Sequence, residues 1–129
     1  MNQGRLSVGL RNRTKKFASG VIQLFIKLPK QREEVHVLGK QLLRSGTSVA
    51  AHTREASRAR SEAEFCSKLE GALQEADESQ LWLELLQEDC AIQDERLPLL
   101  HREAGELMAI FITMVNRTKS KDHESRKQK

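Results

Sequence analysis

The sequence predicts an all-α protein that folds as an antiparallel, up-down-up-down four-helix bundle, and three observations carry this prediction. Apolar residues recur at alternating spacings of three and four in four segments, which is the period of a helix stripe that faces a bundle core. Leu, Glu, Ala, Lys and Arg dominate a chain of 129 residues with two prolines and no tyrosine, a composition typical of long helices. The links between the segments are short, and short links join antiparallel neighbours.

A proline separates the first two predicted helices. The first runs from about residue 11 to 28, and Pro29 ends it because proline lacks an amide donor and clashes with the preceding turn. The second begins near residues 31–34 and ends near residues 56–60. Its stripe is small and polar in the middle, which would let a neighbouring helix approach closely. The two stripes are Phe17, Val21, Leu24 and Leu28, then Val35, Leu38, Leu42, Ser45, Val49, His52 and Ala56.

A capping box opens the third predicted helix, since the Ser61 hydroxyl can cap an amide while the Glu64 carboxylate reaches back. This helix has the clearest 4-3 rhythm in the chain. The fourth helix runs from about Leu97 to Val115, with Pro98 tolerated in its first turn. The stripes are Phe65, Leu69, Ala72, Ala76, Ser79, Leu83 and Leu86 for the third helix, and Leu97, Leu100, Ala104, Leu107, Phe111 and Val115, widened by Met108 and Ile112, for the fourth.

Residues 1–118 are predicted to form one bundle domain, and residues 119–129 a basic tail. The tail is rich in lysine and has no apolar periodicity, so we expect it to be disordered. No apolar stretch approaches the ~18 residues of a membrane span, and the first residues lack the apolar region of a signal peptide. Cys66 and Cys90 match no zinc or redox spacing and are expected as small helix residues. These features predict a cytoplasmic protein that does not contact a membrane.

The sequence predicts no catalytic, cofactor-binding or metal-binding residues. A di-iron bundle needs two Glu-x-x-His motifs and further carboxylates, and Glu33–His36 is the one such motif in the chain. No glycine-rich phosphate loop or nucleophile motif occurs, so we expect no cofactor and no enzymatic activity. Glu75, Glu78 and Trp82 would suit a carboxylate beside an aromatic wall, but a packed helix flank is the simpler interpretation. His52 is expected to be a satisfied core residue.

Charge is strongly segregated along the chain. Residues 1–32 carry eight Lys or Arg and no acid, residues 61–96 carry eleven acids and two bases, and the tail after Asn116 carries six bases and two acids. Basic faces of this kind attract nucleic-acid phosphates or the acidic face of another copy. The candidate nucleic-acid-binding residues are Arg11, Arg13, Lys15, Lys16, Lys40, Arg44, Arg54, Arg58 and Arg60.

The C-terminal part of the third helix is apolar on nearly every side. A helix of this kind must be covered all round, and a four-helix monomer leaves the outer face of such a helix bare. Leu81, Trp82 and Leu85 are therefore the candidate subunit-interface residues. The outer stripe of the same helix is acidic, so a head-to-tail contact with a basic face would close into a ring if the rotation permits.

Three blocks of sequence carry a family resemblance. They are Gln41–His52 with Glu55 in the second helix, Phe65, Leu69, Ala72–Glu78 and Trp82–Leu83 in the third, and Leu100, Glu103–Ala104, Glu106–Leu107 and Ile110 in the fourth. These blocks resemble the small bundle proteins encoded by intervening sequences within bacterial 23S ribosomal RNA genes, known simply as four helix bundle proteins. The likeness covers about residues 14–118, and the chain departs from the family pattern at His52, Thr53, Arg54 and Ala56.

The resemblance implies a homo-oligomer, because pentameric rings of bundles are the known arrangement in that family. The chain is also similar to the accessory variability determinant proteins of diversity-generating retroelements, which implies nucleic-acid binding and a reverse transcriptase as a partner. The favoured hypothesis is a non-enzymatic homopentamer that binds RNA or DNA non-specifically through basic faces. The alternative is a purely structural, protein-interaction module without nucleic-acid binding. The residues leave open whether the basic stripe of the second helix faces solvent or a neighbouring subunit.

Overall fold

The computed structural model describes residues 6–127, and the side chains of residues 6–121, 123 and 124. This described part contains four helices, α1 (Val8–Lys27), α2 (Glu33–Ser57), α3 (Glu62–Glu88) and α4 (Arg96–Lys127), and no strand. Each helix packs against the next, and α1 also contacts α4, whereas the diagonal pairs are not neighbours within this range. The four-helix bundle is therefore confirmed. The ends of the predicted domain and tail, residues 1–5 and 128–129, lie outside the described residues.

The stripes predicted for α1, α3 and α4 line the core of the bundle. Every residue in them is buried, and Phe17, Phe111 and Leu69 are among the largest side chains with almost no exposed surface. At the edge of α4, Met108 is half-buried against this core whereas Ile112 is exposed. The predicted widening of the α4 stripe is therefore confirmed at Met108 and wrong at Ile112, which is exposed to solvent.

The stripe predicted for α2 is wrong at two positions. Leu38 and His52 are only half-buried, and the residues next to them, Gly39 and Thr53, lie in the core instead. With Gly46, which is also buried, they form a second row spaced seven residues apart, the period of a bundle seam. Sequence reasoning missed this row because glycine and threonine do not count as apolar.

The small residues of α2 allow α1 to approach closely, as predicted for the middle of this helix. An added Cβ atom on Gly46 would lie 2.8 Å from Cγ2 of Val21, and one on Gly39 would lie 2.9 Å from Cδ1 of Leu28. The two contacts also define the antiparallel register, because moving down α2 from Gly46 to Gly39 corresponds to moving up α1 from Val21 to Leu28.

Serine side chains cap the N-termini of α1 and α3. The hydroxyl of Ser7 accepts a hydrogen bond from the amide of Leu10 at 3.2 Å, and that of Ser61 accepts one from the amide of Glu64 at 3.0 Å. The serine half of the predicted capping box is thus confirmed. The Glu64 carboxylate instead accepts from the amide of Arg60, at 3.5 Å, one residue before the cap.

Helix α4 extends beyond its apolar stripe. It ends at Lys127, whereas the stripe, and the predicted helix, end near Val115. Just past the stripe, the Lys119 ammonium lies 3.1 Å from a carboxylate oxygen of Glu70 on α3. From there on, the side chains that the structure describes are all exposed. Disorder of residues 119–129 in solution stays a prediction.

The two cysteines occupy different kinds of position. Both are buried and they are not bonded to each other. Cys66 lies within α3 as expected, but Cys90 lies in the connection that follows α3. That connection turns at Ala91, whose φ is 55°. The guanidinium of Arg32 donates to the Cys90 carbonyl oxygen at 2.9 Å, which joins the α1–α2 and α3–α4 connections at one end of the bundle.

Candidate functional site

Arg13 is the first of the predicted binding residues whose charge is already balanced within the bundle. Its guanidinium makes two hydrogen bonds of 2.7 Å to the carboxylate of Glu103 and a third of 2.7 Å to Glu106. The bonds to Glu103 and then those to Glu106 raise the pKa of Arg13 above its ordinary value, against the opposing effect of partial burial. A bidentate pair of this kind fixes geometry as well as charge, so Arg13 joins α1 to α4.

Arg44 is the second predicted binding residue that is neutralised. Its guanidinium lies 3.1 Å and 3.3 Å from the two carboxylate oxygens of Glu75 and 3.4 Å from Glu78. Hydrogen bonding to Glu75 raises the pKa of Arg44 above its ordinary value. The two glutamates that the sequence suggested as carboxylates beside Trp82 are therefore partners of an arginine across the α2–α3 contact.

The remaining predicted cations have no carboxylate partner within ion-pair distance in the described part of the chain. All are exposed except Arg11, which is half-buried and whose Nε atom is buried without a hydrogen-bond partner. Their charges are available to a ligand, unlike those of Arg13 and Arg44. These residues are Arg11, Lys15, Lys16, Lys40, Arg54, Arg58 and Arg60.

Two of these cations on α1 share one helix stripe with two exposed isoleucines. Arg11, Lys15, Ile22 and Ile26 follow each other at spacings of four, seven and four, which keeps them on one side of a helix. Ile22 and Ile26 are 41% and 60% exposed. The stripe borders Phe25, which lies in the α1–α2 contact against Gly39. It therefore forms one rim of the outer groove between α1 and α2.

The other rim of this groove is a stripe of α2 that ends at Arg58, the C-cap residue just after the helix. Lys40, Thr47, Ala51, Arg54 and Arg58 follow at spacings of seven, four, three and four, and the stripe lies on the solvent side of the glycine row that contacts α1. We call the surface formed by these two rims the α1–α2 groove. Arg11, Lys15, Arg54 and Arg58 lie towards one of its ends, and Ile22 and Ile26 lie towards the other, close to Lys40.

A second exposed apolar patch lies on the outer side of the α2–α3 contact. Leu81 is 45% exposed, and Trp82 and Leu85 are half-buried, so the predicted interface residues are all accessible in part. The Ser45 and Ser79 hydroxyls, 2.8 Å apart, set the register of the two helices. This register brings Val37, which is 50% exposed, level with Gln87, two residues after Leu85. We call these four apolar residues, Val37, Leu81, Trp82 and Leu85, the tryptophan patch.

The indole of Trp82 is unusual within this patch. Its Nε1 atom is buried and has no hydrogen-bond partner among the described residues. A buried indole N–H normally finds an acceptor. Sequence reasoning identified Trp82, Leu81 and Leu85 but missed Val37, because Val37 lies on another helix and is not part of any apolar stripe.

Two of the histidines lie in contacts between helices. The His36 ring packs against Phe25 at a centroid distance of 6.3 Å. His52 lies over Gly71, with its Nδ1 atom 3.5 Å from a Glu55 carboxylate oxygen, so the prediction that it is a core residue is wrong. No group of three or more His, Cys, Asp or Glu side chains suitable for a metal occurs in the described chain. Within the same range, no helix is long and apolar enough to cross a membrane.

Comparison with known proteins agrees with the fold and with the sequence resemblance. Residues 9–113, from the start of α1 well into α4, match the profile of the 23S rRNA-intervening sequence proteins. A crystal structure from Bacteroides thetaiotaomicron, of a protein with unknown function from the S23 ribosomal protein family, is also similar. That protein is 35% identical, the alignment covers 81% of this chain and 96% of that one, and the TM-score is 0.74. No curated protein matches the chain. The chain therefore belongs to the 23S rRNA-intervening sequence protein family.

Proposed function

We propose that this protein is a non-enzymatic bundle that assembles into a homo-oligomeric ring, a pentamer, and binds RNA or DNA non-specifically. The observation that carries the proposal is the contrast among its cations. Two arginines are neutralised by carboxylates inside the bundle, whereas a set on the α1–α2 groove has no partner in the described chain. Unpaired cations on one face are the footprint of a phosphate-binding protein.

Assembly is supported by the presence of two different apolar surfaces on one subunit. Ile22 and Ile26 lie in the α1–α2 groove, which also carries cations. Three of the four residues of the tryptophan patch lie on α3, which carries eight acids and one base. A contact between two different surfaces of opposite charge repeats from copy to copy and closes into a ring when the rotation permits. The number five is what the family resemblance implies.

Non-specific binding is supported by the chemistry of the groove. Lysine and arginine neutralise phosphates irrespective of base sequence. No tyrosine occurs in the chain, and the aromatic ring nearest the groove, Phe25, is half-buried in the α1–α2 contact. Stacking on bases would therefore contribute little. The family is named after 23S rRNA, and the similar Bacteroides protein belongs to a ribosomal protein family, which makes a 23S rRNA fragment a suitable probe.

Assembly is tested by light scattering on a size-exclusion column at low micromolar concentration. The wild-type protein should elute at several times the mass of one chain, 14.7 kDa. Trp82→Ala should weaken assembly by about 2–4 kcal/mol, because buried aromatic anchors dominate interfaces. Leu99→Glu, a change at an equally apolar residue that is 60% exposed on α4, is the control and should keep the ring. A wild-type monomer would contradict the proposal.

Nucleic-acid binding is tested by the salt dependence of affinity for mixed RNA and DNA. Each neutralised phosphate releases counterions, so affinity should fall steeply as salt rises, with little preference among sequences. Absence of binding at about 50 mM salt, where electrostatic affinity is near its strongest, would exclude this half of the proposal. The ring could still stand as a structural module.

The alternative, an assembly module without nucleic-acid binding, uses the same cations differently. There, Arg54 and Arg58 would dock on the acidic α3 of a neighbouring copy. The double change Arg54→Glu and Arg58→Glu separates the two functions. Under the nucleic-acid proposal the variant remains a ring and loses RNA affinity, whereas under the alternative it loses the ring.

The absence of enzymatic activity and the reverse-transcriptase partner are separate parts of the proposal. Elemental analysis of the purified protein should find no stoichiometric iron, manganese or zinc, and a bound metal pair would contradict a non-enzymatic role. A reverse transcriptase is implied by the resemblance to retroelement proteins. Its test is co-purification of this chain with a reverse transcriptase encoded beside it, and a gene location without one would remove the reason for this partner.

A further inference from the structure

The geometry points to one end of the α1–α2 groove as the place where a phosphodiester backbone is held, by Arg11, Lys15, Arg54 and Arg58. This inference rests on the proposed function and makes it more specific. It assigns the contact to four of the nine predicted cations. It excludes Arg13 and Arg44, whose guanidiniums are already occupied by carboxylates.

These four residues lie at the same end of the bundle. Val21 lies against Gly46 and Leu28 against Gly39, and continuing this antiparallel register brings Arg11 level with Ala56. Arg54 and Arg58 flank Ala56 by two residues on either side. The N-terminal turns of α1 and the C-terminal turns of α2 therefore present their cations at the same height.

The four charges lie close together. Arg11 and Lys15 are one turn apart on α1, and four residues of helix rise about 6 Å. Arg54 lies in the last turn of α2, four residues before Arg58, the C-cap residue of that helix. Packed helix axes lie about 8–10 Å apart, and small residues in the contact bring them to the shorter end of this range. The four charges thus occupy a patch on the scale of a few consecutive phosphates.

The surroundings of these four cations contain few acids. Helix α1 contains five Lys or Arg and no acid. On this end of α2 the one acid is Glu55, and its carboxylate lies 3.2 Å from the Lys68 ammonium and 3.5 Å from the His52 ring. It therefore faces α3, away from the groove. Nothing in the described chain neutralises the cluster, and the Nε atom of Arg11 is buried there without a partner.

The two ends of the groove carry different kinds of side chain. The same α1 stripe that carries Arg11 and Lys15 ends in Ile22 and Ile26, which are exposed. The end that carries the isoleucines suits a contact with another subunit, and the opposite end carries the four cations. In a ring, each subunit would then contribute one basic cluster, and a strand that reached several clusters would gain affinity from their combination.

The test compares two variants that lose the same charge. The cluster variant carries Arg11→Gln, Lys15→Gln, Arg54→Gln and Arg58→Gln. The control carries Lys16→Gln, Lys27→Gln, Lys30→Gln and Arg102→Gln, at four exposed cations outside the groove. For each, the mass, the melting temperature and the affinity for a fluorescent single-stranded RNA are measured over a series of salt concentrations.

The cluster variant should keep its mass and lose at least about tenfold in RNA affinity at 50 mM salt. Its slope of log affinity against log salt should become shallower by about 3 for each subunit engaged, since a contact to single-stranded nucleic acid contributes about 0.7. The control should keep a slope close to that of the wild type. Arg13→Gln and Arg44→Gln should each leave the slope unchanged.

Three other results would overturn the inference, each for a different reason. An equal loss in the control would show that binding follows net charge and not this cluster. Loss of the ring in the cluster variant would show that the cluster docks on another copy. No binding by the wild-type protein would mean that the proposed nucleic-acid function itself fails. If Arg11→Gln prevents folding, the triple variant at the exposed Lys15, Arg54 and Arg58 provides the same comparison, with an expected slope change of about 2.

Discussion

The two sides of helix α2 pack against their neighbouring helices through different kinds of contact. Towards α1, the contact is apolar and tight, with Gly46 against Val21. Towards α3, the contact is polar, with Ser45 and Ser79 hydrogen-bonded at 2.8 Å in the core and Arg44 paired to Glu75 at its edge. One helix thus presents a row of small residues to one neighbour and a row of polar partners to the other.

This difference explains which cations remain available for a ligand. A cation of α2 that points towards α3 meets carboxylates, because α3 carries eight acids. A cation on the α1 side meets none, because α1 has no acid. Arg44 and Arg54 have the same charge on the same helix, yet only Arg44 is neutralised. The cations proposed to bind phosphate remain unpaired because α1, the neighbouring helix, has no acid.

The largest change in stability is expected when a methyl group is added at the close contact between α1 and α2. Gly46→Ala places a Cβ atom 2.8 Å from Cγ2 of Val21, a stiff and fully buried side chain. Overpacking should cost about 1–3 kcal/mol, more than the ~1 kcal/mol that alanine gains over glycine in a helix. The free energy of unfolding, measured by urea denaturation, should therefore fall.

Gly39→Ala and Gly9→Ala provide a graded control for that result. The atom 2.9 Å from a Cβ on Gly39 is the terminal methyl carbon of Leu28, which can move, and a Cβ on Gly9 makes an ordinary contact at 3.7 Å. Gly39→Ala should be close to neutral and Gly9→Ala slightly stabilising. Equal losses at all three positions would contradict a specific contact between α1 and α2.

A smaller effect is expected when the polar side is disrupted in the core. Ser79→Ala leaves the buried Ser45 hydroxyl with only a 3.3 Å bond to the Leu42 carbonyl. Loss of one partner should lower the free energy of unfolding by about 1 kcal/mol. The double change, Ser45→Ala with Ser79→Ala, should cost less than the sum of the single changes, because no unpaired hydroxyl remains. A double-mutant cycle in urea measures this coupling, and strict additivity would contradict it.

The smallest change in stability is expected at the exposed edge of the polar side. The Arg44 side chain is 54% exposed, and an exposed ion pair contributes about 0.2–1 kcal/mol. Arg44→Gln should thus lower stability by no more than this, and less at high salt. Its matched control is Arg54→Gln, which removes an equal charge without an ion pair and should leave stability unchanged. RNA affinity should show the reverse order, and an equal loss of affinity in both variants would remove the distinction between the two sides of α2.

Much of the fold could be predicted because it depends on local periodicity. The stripes of α1, α3 and α4 repeat apolar residues every three or four positions, and these residues are buried except for Met108 and Ile112 at the edge of α4. The serine cap at Ser61 and the stop at Pro29 are equally local signals. The errors on α2, at Leu38 and His52, arose where the core position is held by a glycine or a threonine, whose role depends on the partner helix.

The sequence predicted that the candidate site is basic, but not which of the cations belong to it. The sequence by itself determined that cations concentrate in residues 1–32 and acids in residues 61–96, since segregation along the chain is visible in one dimension. Only the tertiary structure decided which cations are neutralised. Arg13 meets Glu103 and Arg44 meets Glu75, and in both pairs the carboxylate lies on a neighbouring helix that is distant along the chain. Ion pairing depends on distances of a few ångströms, and those distances exist only after the helices have packed.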